Sequence, residues 1–341
     1  MNGLTDGFGR THTYLRISVT DRCNLRCVYC LPAPLGHDGQ AGMPAAGILA
    51  KPKDEILTFH EIECVAQVFA RLGVDKIRLT GGEPLVRRNL PELVQRLTRI
   101  ASIRTVGMTT NGVLLRSHIK ELKLAGLASI NVSLDTLRPE RFEKIALRSH
   151  YNDVLAGIEA ALEEGFAPLK LNMVVMGGVN DDELPDFVEL TKERPINVRF
   201  IEFMPFKANQ WNVGTFVPYA TMKDTVAQHF ELIPVADGPH QGMVAKDFRV
   251  QGCVGMVSFI TSMSDHFCDS CNRLRLTADG SIKSCLFYSA EVNLRSALRG
   301  GASNEVLEDI IRSAVILKPR QHPDMDDLVE LENRSMIEIG G

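Results

Sequence analysis

The chain has 341 residues, of which 45% are hydrophobic and 23% are charged, and its net charge is −4 at pH 7. This composition is ordinary for a globular protein, and the small negative charge gives no reason to expect nucleic acid or an anionic membrane as a partner. No apolar run approaches the roughly 18 residues of a spanning helix, and residues 1–10 lack the apolar segment of a signal peptide. We therefore expect a cytoplasmic protein with no nucleic-acid or membrane partner.

Short β-rich runs alternate with amphipathic helical patterns from about residue 14 to residue 235. The strand candidates are residues 14–20, 76–80, 105–109, 129–134, 169–175 and 197–203. One helix candidate begins after Thr58, and the others are residues 90–99, 117–125, 152–164 and 183–192. Six β-then-α units in a row predict an α/β fold, whose parallel sheet is either open or curled into a barrel.

The strand candidates alternate between apolar and polar residues, whereas a parallel sheet covered by helices should be almost continuously apolar. In the first strand, Leu15 and Ile17 share one face and Arg16 lies on the other. The polar faces carry the basic side chains Arg16, Arg78, Lys170 and Arg199. Burying these charges without partners would be very costly, so the polar faces predict a wet cavity or an anionic ligand. The alternative is that some of these strands lie at a sheet edge with one face in solvent.

The periodicity changes after a turn-rich break at residues 236–242. Beyond it lie strand-like residues 243–250 and 254–260, and helical patterns near residues 292–298 and 304–317. We therefore expect a core of residues 1–235 and a smaller α+β unit of residues 236–341. Residues 33–53, rich in Gly, Pro and Ala, predict a loop.

Six of the eight cysteines fall into two groups of three. The first group is Cys23, Cys27 and Cys30, and the second is Cys268, Cys271 and Cys285. Close-spaced cysteines in a long cytoplasmic chain favour metal chemistry over disulfides. A structural zinc site uses four ligands, whereas three thiolates on a four-iron cluster leave one iron open to an outside ligand.

Zinc is the alternative at both cysteine groups. At the first group His12 or His37 would supply the fourth ligand, and at the second group His266 would do so.

The first cysteine group and a glycine motif resemble the radical S-adenosylmethionine (SAM) superfamily. The pattern C-x3-C-x2-C follows the first strand, and Thr80-Gly81-Gly82-Glu83-Pro84 follows the second. The resemblance implies a partial (βα)6 barrel of the TIM type, with a 4Fe–4S cluster on the first cysteine group. It also implies that the cluster cleaves SAM to give a 5′-deoxyadenosyl radical. The residues implied to bind SAM are Tyr29, Gly82, Ser133 and Met204.

Further runs resemble the GTP 3′,8-cyclase family of molybdenum-cofactor biosynthesis. They are residues 14–24, 76–85, 109–112, 202–206 and 268–276, and the terminal Gly340-Gly341. The resemblance implies a second 4Fe–4S cluster on Cys268, Cys271 and Cys285. The residues implied to bind GTP are Arg16, Arg78, Thr109, Lys170, Arg273, Leu274 and Arg275, of which Arg16, Arg273 and Arg275 are implied to be catalytic.

The same resemblance implies a reaction and partners. The radical removes hydrogen from C3′ of GTP, and C3′ attacks guanine C8 to give (8S)-3′,8-cyclo-7,8-dihydroguanosine 5′-triphosphate, an early intermediate of molybdenum cofactor. The implied partners are a second copy of the chain, a flavodoxin- or ferredoxin-type electron donor, and cyclic pyranopterin monophosphate synthase as the next enzyme. We also hypothesise that the Gly-Gly tail enters the site.

Two other functions remain open from the sequence. One is a different radical SAM enzyme with an auxiliary cluster, acting on a peptide or a cofactor. The other is an iron–sulfur electron carrier, which would not need the glycine motif or the polar strand faces.

Overall fold

Six parallel strands that follow one another in chain order form the centre of the fold. The computed structural model describes residues 3–30, 50–206, 209, 211–235, 244–289, 291–331 and 333–340. The strands are β1 (Tyr14–Ser18), β2 (Lys76–Thr80), β3 (Thr105–Thr110), β4 (Ser129–Ser133), β5 (Leu169–Val175) and β6 (Ile196–Glu202). The helices between them are α1 (Phe59–Arg71), α2 (Leu90–Thr98), α3 (Leu115–Leu124), α4 (Pro139–Ala146), α5 (Tyr151–Glu163) and α6 (Leu184–Glu189).

The βα alternation predicted from the sequence is confirmed. Helix α1 begins as expected, because Thr58 and Glu61 form a reciprocal capping box that satisfies free N–H groups of the first turn. Two details of the prediction were wrong. Helix α4, which has Pro139 in its first turn, was not predicted. Helix α6 ends at Glu189, short of the predicted residue 192.

The rest of the chain extends the same sheet at both ends. Its elements are α7 (Tyr219–Ala227), β7 (Leu232–Pro234), β8 (Ala245–Val250), β9 (Met256–Ile260), β10 (Arg273–Leu276), β11 (Ser281–Lys283), β12 (Glu291–Asn293), α8 (Arg295–Arg299), α9 (Asn304–Ile316), α10 (Met325–Glu330) and α11 (Met336–Ile339). Strand β9 pairs in parallel with β6, and β10 pairs in parallel with β1. The predicted break at residues 236–242 and most of the loop predicted at residues 33–53 lie outside the described residues.

A helix predicted near residues 292–298 was partly wrong. Residues Glu291–Asn293 form strand β12, which pairs with β11, and α8 begins only at Arg295. No helix of the described residues is both long enough and apolar enough to cross a membrane.

The strand order explains how one face of the sheet encloses a site. Across the described residues the order is β12-β11-β10-β1-β2-β3-β4-β5-β6-β9-β8-β7, so each of β1–β6 has a neighbour on both sides. The alternative that these strands lie at an edge was therefore wrong. Because successive right-handed crossovers all proceed in one direction, the helices lie on one face, and the sheet curls around the other as in a barrel.

Register places the polar residues of neighbouring strands side by side. Arg275, Arg16 and Arg78 are paired residues on β10, β1 and β2, and Arg273, Tyr14 and Lys76 form the adjacent row. The apolar residues of the same strands, such as Leu15 and Ile17, are fully buried against the helices.

A close contact between α3 and α5 offers a test of this packing. A Cβ at Gly157 would lie 2.4 Å from the carbonyl oxygen of Gly112 and 3.1 Å from Leu115 Cβ. Alanine is ordinarily favoured over glycine in a helix by about 1 kcal/mol, but overpacking typically costs about 1–3 kcal/mol. We expect Gly157→Ala to lower the thermal midpoint measured by circular dichroism. Asn152→Ala, an exposed change in the same helix, should leave it nearly unchanged, and a midpoint raised by Gly157→Ala would contradict this packing.

Candidate functional site

A cavity of about 680 Å³ lies on the concave face of the sheet, and both cysteine groups line it. The first group follows the carboxyl end of β1. Cys271 of the second group lies near the amino end of β1. Its neighbour in the chain, Asn272, accepts a hydrogen bond from the N–H of Tyr14, the first residue of β1, at 3.3 Å. The two groups therefore lie at opposite ends of β1, a five-residue strand roughly 15 Å long.

The loop of the first cysteine group is held by its own backbone and by Asn111, the residue that follows β3. Cys23 Sγ accepts from the backbone N–H of Leu25 at 3.4 Å and from the side-chain amide of Asn111 at 3.7 Å. The same amide donates to Asn24 Oδ1 at 2.7 Å. Hydrogen bonds of this kind orient thiolate ligands around an iron–sulfur cluster.

The glycine motif packs against the cluster loop. A Cβ at Gly81 would lie 2.6 Å from the carbonyl oxygen of Thr20, and one at Gly82 would lie 2.3 Å from that of Arg22. Gly82 N–H donates to Thr20 at 2.7 Å, and Glu83 N–H donates to Arg22 at 2.8 Å. Both glycines are therefore required to bring this turn against the backbone that leads into Cys23.

Glu83 of the same motif is fully buried and ties two strand ends together. Its carboxylate accepts from Leu85 N–H at 3.0 Å, Thr110 Oγ1 at 2.8 Å and Asn111 N–H at 2.7 Å. Burial raises the pKa of Glu83 to about 7 despite these donors. Glu83 therefore positions the loop that carries Asn111, which in turn contacts Cys23.

The residues expected to bind SAM share the wall of this cavity. They are Tyr29, Gly82, Ser133 and Met204. Tyr29 Oη donates to Asp135 Oδ2 at 2.7 Å, and Val174 N–H donates to Asp135 Oδ1 at 2.9 Å. Burial raises the pKa of Asp135 to about 6. Asp135, which the sequence did not single out as a site residue, thus holds Tyr29 in place.

Basic side chains from several strands converge on the cavity, and all of those named here except Lys76 were predicted from the sequence. Among the described residues that line it are Arg16, Lys76, Arg78, Lys170, Arg199, Arg273 and Arg275. Burial, reinforced by repulsion from neighbouring cations, lowers the pKa of Arg16 and Arg199 to about 10 and that of Lys170 to about 8. An anionic ligand placed among these groups would relieve the repulsion, as expected from the polar strand faces.

Arg78 is held by neighbouring strands. Its guanidinium donates to Met108 O and Asn131 Oδ1, each at 2.9 Å, and its Nε donates to Tyr14 Oη at 2.6 Å. A Cβ at Gly107 would lie 3.0 Å from an Arg78 nitrogen, so the glycine makes room for the side chain. Arg78 is therefore positioned before any ligand binds.

Tyr14 lies within the basic cluster, and the sequence did not identify it. Lys76 Nζ lies 4.7 Å from the centre of its ring. Burial alone would raise the pKa of Tyr14, but the positive charges of Arg78, Arg16 and Lys76 outweigh burial and lower the pKa to about 7. The sequence did not identify Lys76 as a site residue either, because only the register of β1 and β2 places it beside Tyr14.

One thiol of the second cysteine group, that of Cys271, has a cationic environment. Lys318 Nζ donates to Cys271 Sγ at 3.3 Å, and the Arg273 guanidinium lies 4.0 Å from the same sulfur. Burial would raise the pKa of Cys271, but these two positive charges lower it to about 6. In the first group, burial raises the pKa of Cys23 to about 11.

The donor sets fit the iron–sulfur clusters that the sequence predicts. Each group presents three thiols to one cavity, and bound iron would supply the positive charge that a buried thiolate needs. Within the described residues, no three His, Cys, Asp or Glu side chains form the ligand set of a single metal ion. His12 pairs instead with Asp6 at 3.2 Å, His266 packs against His322, and His37 lies outside the described residues.

Leu274 differs from the other residues expected to bind GTP. All the others line the cavity, whereas the Leu274 side chain is fully buried in the apolar core. Because side chains alternate along a strand, Arg273 and Arg275 face the cavity and Leu274 faces away. Only the backbone of Leu274 could therefore contact a ligand.

The chain end reaches the cluster of cations. The carbonyl oxygen of Gly340 accepts from the Arg275 guanidinium at 2.7 Å. Gly340 has φ +82°, and a Cβ there would lie 2.7 Å from both Ser18 Cβ and Thr80 Oγ1. Gly341 lies outside the described residues.

Comparison with known families identifies the class of protein. A family model described as the Radical SAM superfamily matches residues 17–191, and one described as Molybdenum Cofactor Synthesis C matches residues 196–324. The fold is shared with SuiB of Streptococcus suis, solved bound to S-adenosylmethionine, at a TM-score of 0.53 and 14% identity over 89% of this chain and 68% of that one. The chain thus belongs to the radical SAM superfamily, a class of proteins that uses a 4Fe–4S cluster and SAM.

Full-length similarity narrows the class to one family. The chain is 49% identical to the mitochondrial GTP 3′,8-cyclase of Arabidopsis thaliana, over 99% of this chain and 83% of that protein. It is 44% identical to the GTP 3′,8-cyclase of Pelotomaculum thermopropionicum, over 99% of this chain and all of that protein. Molybdenum cofactor biosynthesis protein 1 of Mus musculus is 49% identical, and the chain spans about half of its length. The chain belongs to this GTP 3′,8-cyclase family.

The basic cluster predicts an unusual tyrosine titration. In substrate-free protein, the ¹³Cζ resonances of the five tyrosines should include one that titrates near pH 7, and Tyr14→Phe should remove it. In the unfolded chain the pKa of Tyr14 should be the ordinary value of about 10, so the folded protein loses the Tyr14 proton at a lower pH than the unfolded chain does. The free energy of unfolding of the wild type should therefore rise relative to that of Tyr14→Phe between about pH 7 and pH 10. Tyr288→Phe is the control, because burial raises the pKa of Tyr288. A resonance near pH 7 that persists in Tyr14→Phe would contradict this assignment.

Proposed function

We propose that this chain catalyses the radical cyclisation of GTP to (8S)-3′,8-cyclo-7,8-dihydroguanosine 5′-triphosphate, an early step of molybdenum-cofactor biosynthesis. The observation that carries the proposal is the shared cavity, where buried basic side chains lie between two groups of three cysteines. The family relationship supports the same reaction, and it does not favour a different radical SAM enzyme or an electron carrier.

Cys23, Cys27 and Cys30 would hold the first 4Fe–4S cluster, and Cys268, Cys271 and Cys285 would hold the second. When bound and reduced, the first cluster would supply the electron for reductive cleavage of SAM to methionine and a 5′-deoxyadenosyl radical. Tyr29, Gly82, Ser133 and Met204 bind SAM against this end of the cavity. The hydrogen bond from Tyr29 to Asp135 orients the tyrosine ring beside the cluster loop.

The basic residues bind the triphosphate of GTP. Arg16 and Arg78 are paired on β1 and β2, Lys170 lies on β5, and all three line the cavity. Charges inside a cavity are screened less by water than charges on an open surface, so they attract an anionic ligand strongly. Arginine guanidinium groups suit phosphate oxygens because they donate in a planar fork. Binding energy from the phosphates thus orients the ribose for hydrogen transfer from C3′, which then bonds to guanine C8.

Arg273 and Arg275 connect the substrate to the second cysteine group. The Nε of Arg273 is buried, and within the described part of the chain it has no hydrogen-bond partner, so it is available to a substrate oxygen. Arg275 is held by the carbonyl of Gly340. Thr109 lines the same cavity and contacts GTP.

The remaining partners are proposed from family resemblance. They are a second copy of the chain as a homodimer, a flavodoxin- or ferredoxin-type electron donor, and cyclic pyranopterin monophosphate synthase, which would receive the product. The proposed compartment is the cytoplasm, as expected from the sequence, whereas the relative in Arabidopsis thaliana is named as a mitochondrial protein.

The proposed activity predicts a strict dependence on GTP. Anaerobically reconstituted protein should contain about eight irons per chain. With SAM and a reductant it should form 5′-deoxyadenosine readily only when GTP is present, as measured by chromatography, because C3′ of GTP is the hydrogen donor. Guanosine is the matched control, because it offers the same ribose without phosphates for the basic residues. Formation of 5′-deoxyadenosine at the same rate without GTP would contradict the proposal.

The contact of the tail predicts a second effect. Deleting Gly340 and Gly341 should lower cyclisation at least about tenfold, because Arg275 loses a charge-assisted hydrogen bond, of the kind that contributes about 1.5–3 kcal/mol. Gly340→Ala should act similarly, since φ is +82° and the added Cβ would collide with the cavity wall. Gly301→Ala, at φ +76° in open space, is the matched control. Unchanged turnover with unchanged iron content in the deletion variant would exclude a role for the tail.

A further inference from the structure

Lys318 is a buried lysine to which the proposed reaction assigns no role. It lies just after α9, and only 3% of its surface is exposed. Its Nζ donates to Cys271 Sγ at 3.3 Å and to the carbonyl oxygen of Arg273 at 2.8 Å. Burying a lysine is costly unless its donors are used, so its position beside a ligand thiol calls for a physical reason.

The segment that carries Lys318 is fastened to the second cysteine group by Arg10. The guanidinium of Arg10 donates to the carbonyl oxygens of Cys268 at 2.8 Å, Arg320 at 2.7 Å and Pro319 at 2.6 Å. Asp6 holds the same guanidinium through Nε at 2.6 Å. Lys318 is therefore held in place from both sides, by its own hydrogen bonds and by this clamp on the next two residues.

The two cysteine groups differ in the donors that reach their sulfurs. Cys23 receives neutral donors, the N–H of Leu25 and the amide of Asn111. Cys271 receives the ammonium group of Lys318 in addition to a backbone N–H. Hydrogen bonds to the sulfurs and nearby positive charge stabilise the reduced, more negative state of an iron–sulfur cluster.

We propose that Lys318 is a positioning residue that raises the reduction potential of the second 4Fe–4S cluster through its hydrogen bond to Cys271. This inference rests on the second cluster of the proposed function. The N–H···S hydrogen bond is available whether the lysine is charged or neutral, so the effect does not depend on its titration. The second cluster is consequently easier to reduce than it would be without Lys318.

The test is an EPR-monitored potentiometric titration of reconstituted Lys318→Met, which keeps the length of the side chain and removes the donor. At the wild-type midpoint of the second cluster, we expect the ratio of reduced to oxidised cluster to fall at least about tenfold, a downward shift of about 59 mV for one electron. The first cluster should keep its wild-type midpoint. Arg320→Met is the matched control, because this exposed cation on the same segment pairs only distantly with Asp269, at 3.9 Å, and should shift neither midpoint.

An unchanged midpoint of the second cluster in Lys318→Met would overturn the inference while leaving the proposed function intact. If Lys318→Met does not retain the second cluster, Lys318→Gln, which keeps an N–H donor without the charge, gives the deciding value. We expect that variant to keep a midpoint close to the wild-type value, because the hydrogen bond to Cys271 is retained, and a midpoint lowered by about 59 mV would overturn the inference. Wild-type protein with only about four irons per chain would contradict both the second cluster and the role of Lys318.

Discussion

Repulsion among buried cations is the interaction on which the rest of this structure depends. Arg16, Lys170 and Arg199 face a common cavity, and the pKa of each lies below its ordinary value because of burial and neighbouring positive charge. Burying several cations together costs free energy, and the binding of a ligand of opposite charge offsets that cost. The polar wall of the cavity and the contact of the Gly340 carbonyl with Arg275 are both arranged around this one requirement.

The parallel sheet creates the cluster through register. Since β10, β1 and β2 run in the same direction, Arg275, Arg16 and Arg78 stand in one row, and the next row places Arg273 beside Tyr14. The same pairing separates the two cysteine groups by the length of β1. A ligand that binds the cations is thereby placed between the two cysteine groups, which is the arrangement that the proposed reaction requires.

Sequence predicted the elements whose signals are local. The strand bounds at residues 76–80 and 169–175 match the structure, because alternating side chains mark each strand directly. The cysteine groups and the glycine motif were likewise visible from their spacing. The assignments of Tyr29, Ser133 and Thr109 to SAM and GTP stay predictions, although all three line the cavity.

Features that depend on distant parts of the chain were not predictable. Lys318 reads as an ordinary lysine at the end of a helix, and only the fold brings its Nζ to Cys271. The electrostatic environment of Tyr14 depends on Arg16, Arg78 and Lys76 together, which the fold gathers around it. The expected contact of Leu274 with GTP stays a prediction, and it is restricted to the backbone because the side chain is buried in the core. The short strand β12 was missed because three residues carry too little periodicity to be distinguished from the helix that follows.

The most direct test of the account is a comparison of GTP and guanosine binding to the reconstituted protein by isothermal titration calorimetry. If the buried cations bind the triphosphate, GTP should bind at least about a hundredfold more tightly than guanosine, and inorganic triphosphate should compete with GTP. Equal affinities for GTP and guanosine would show that the cations do not bind the substrate, and would contradict the account.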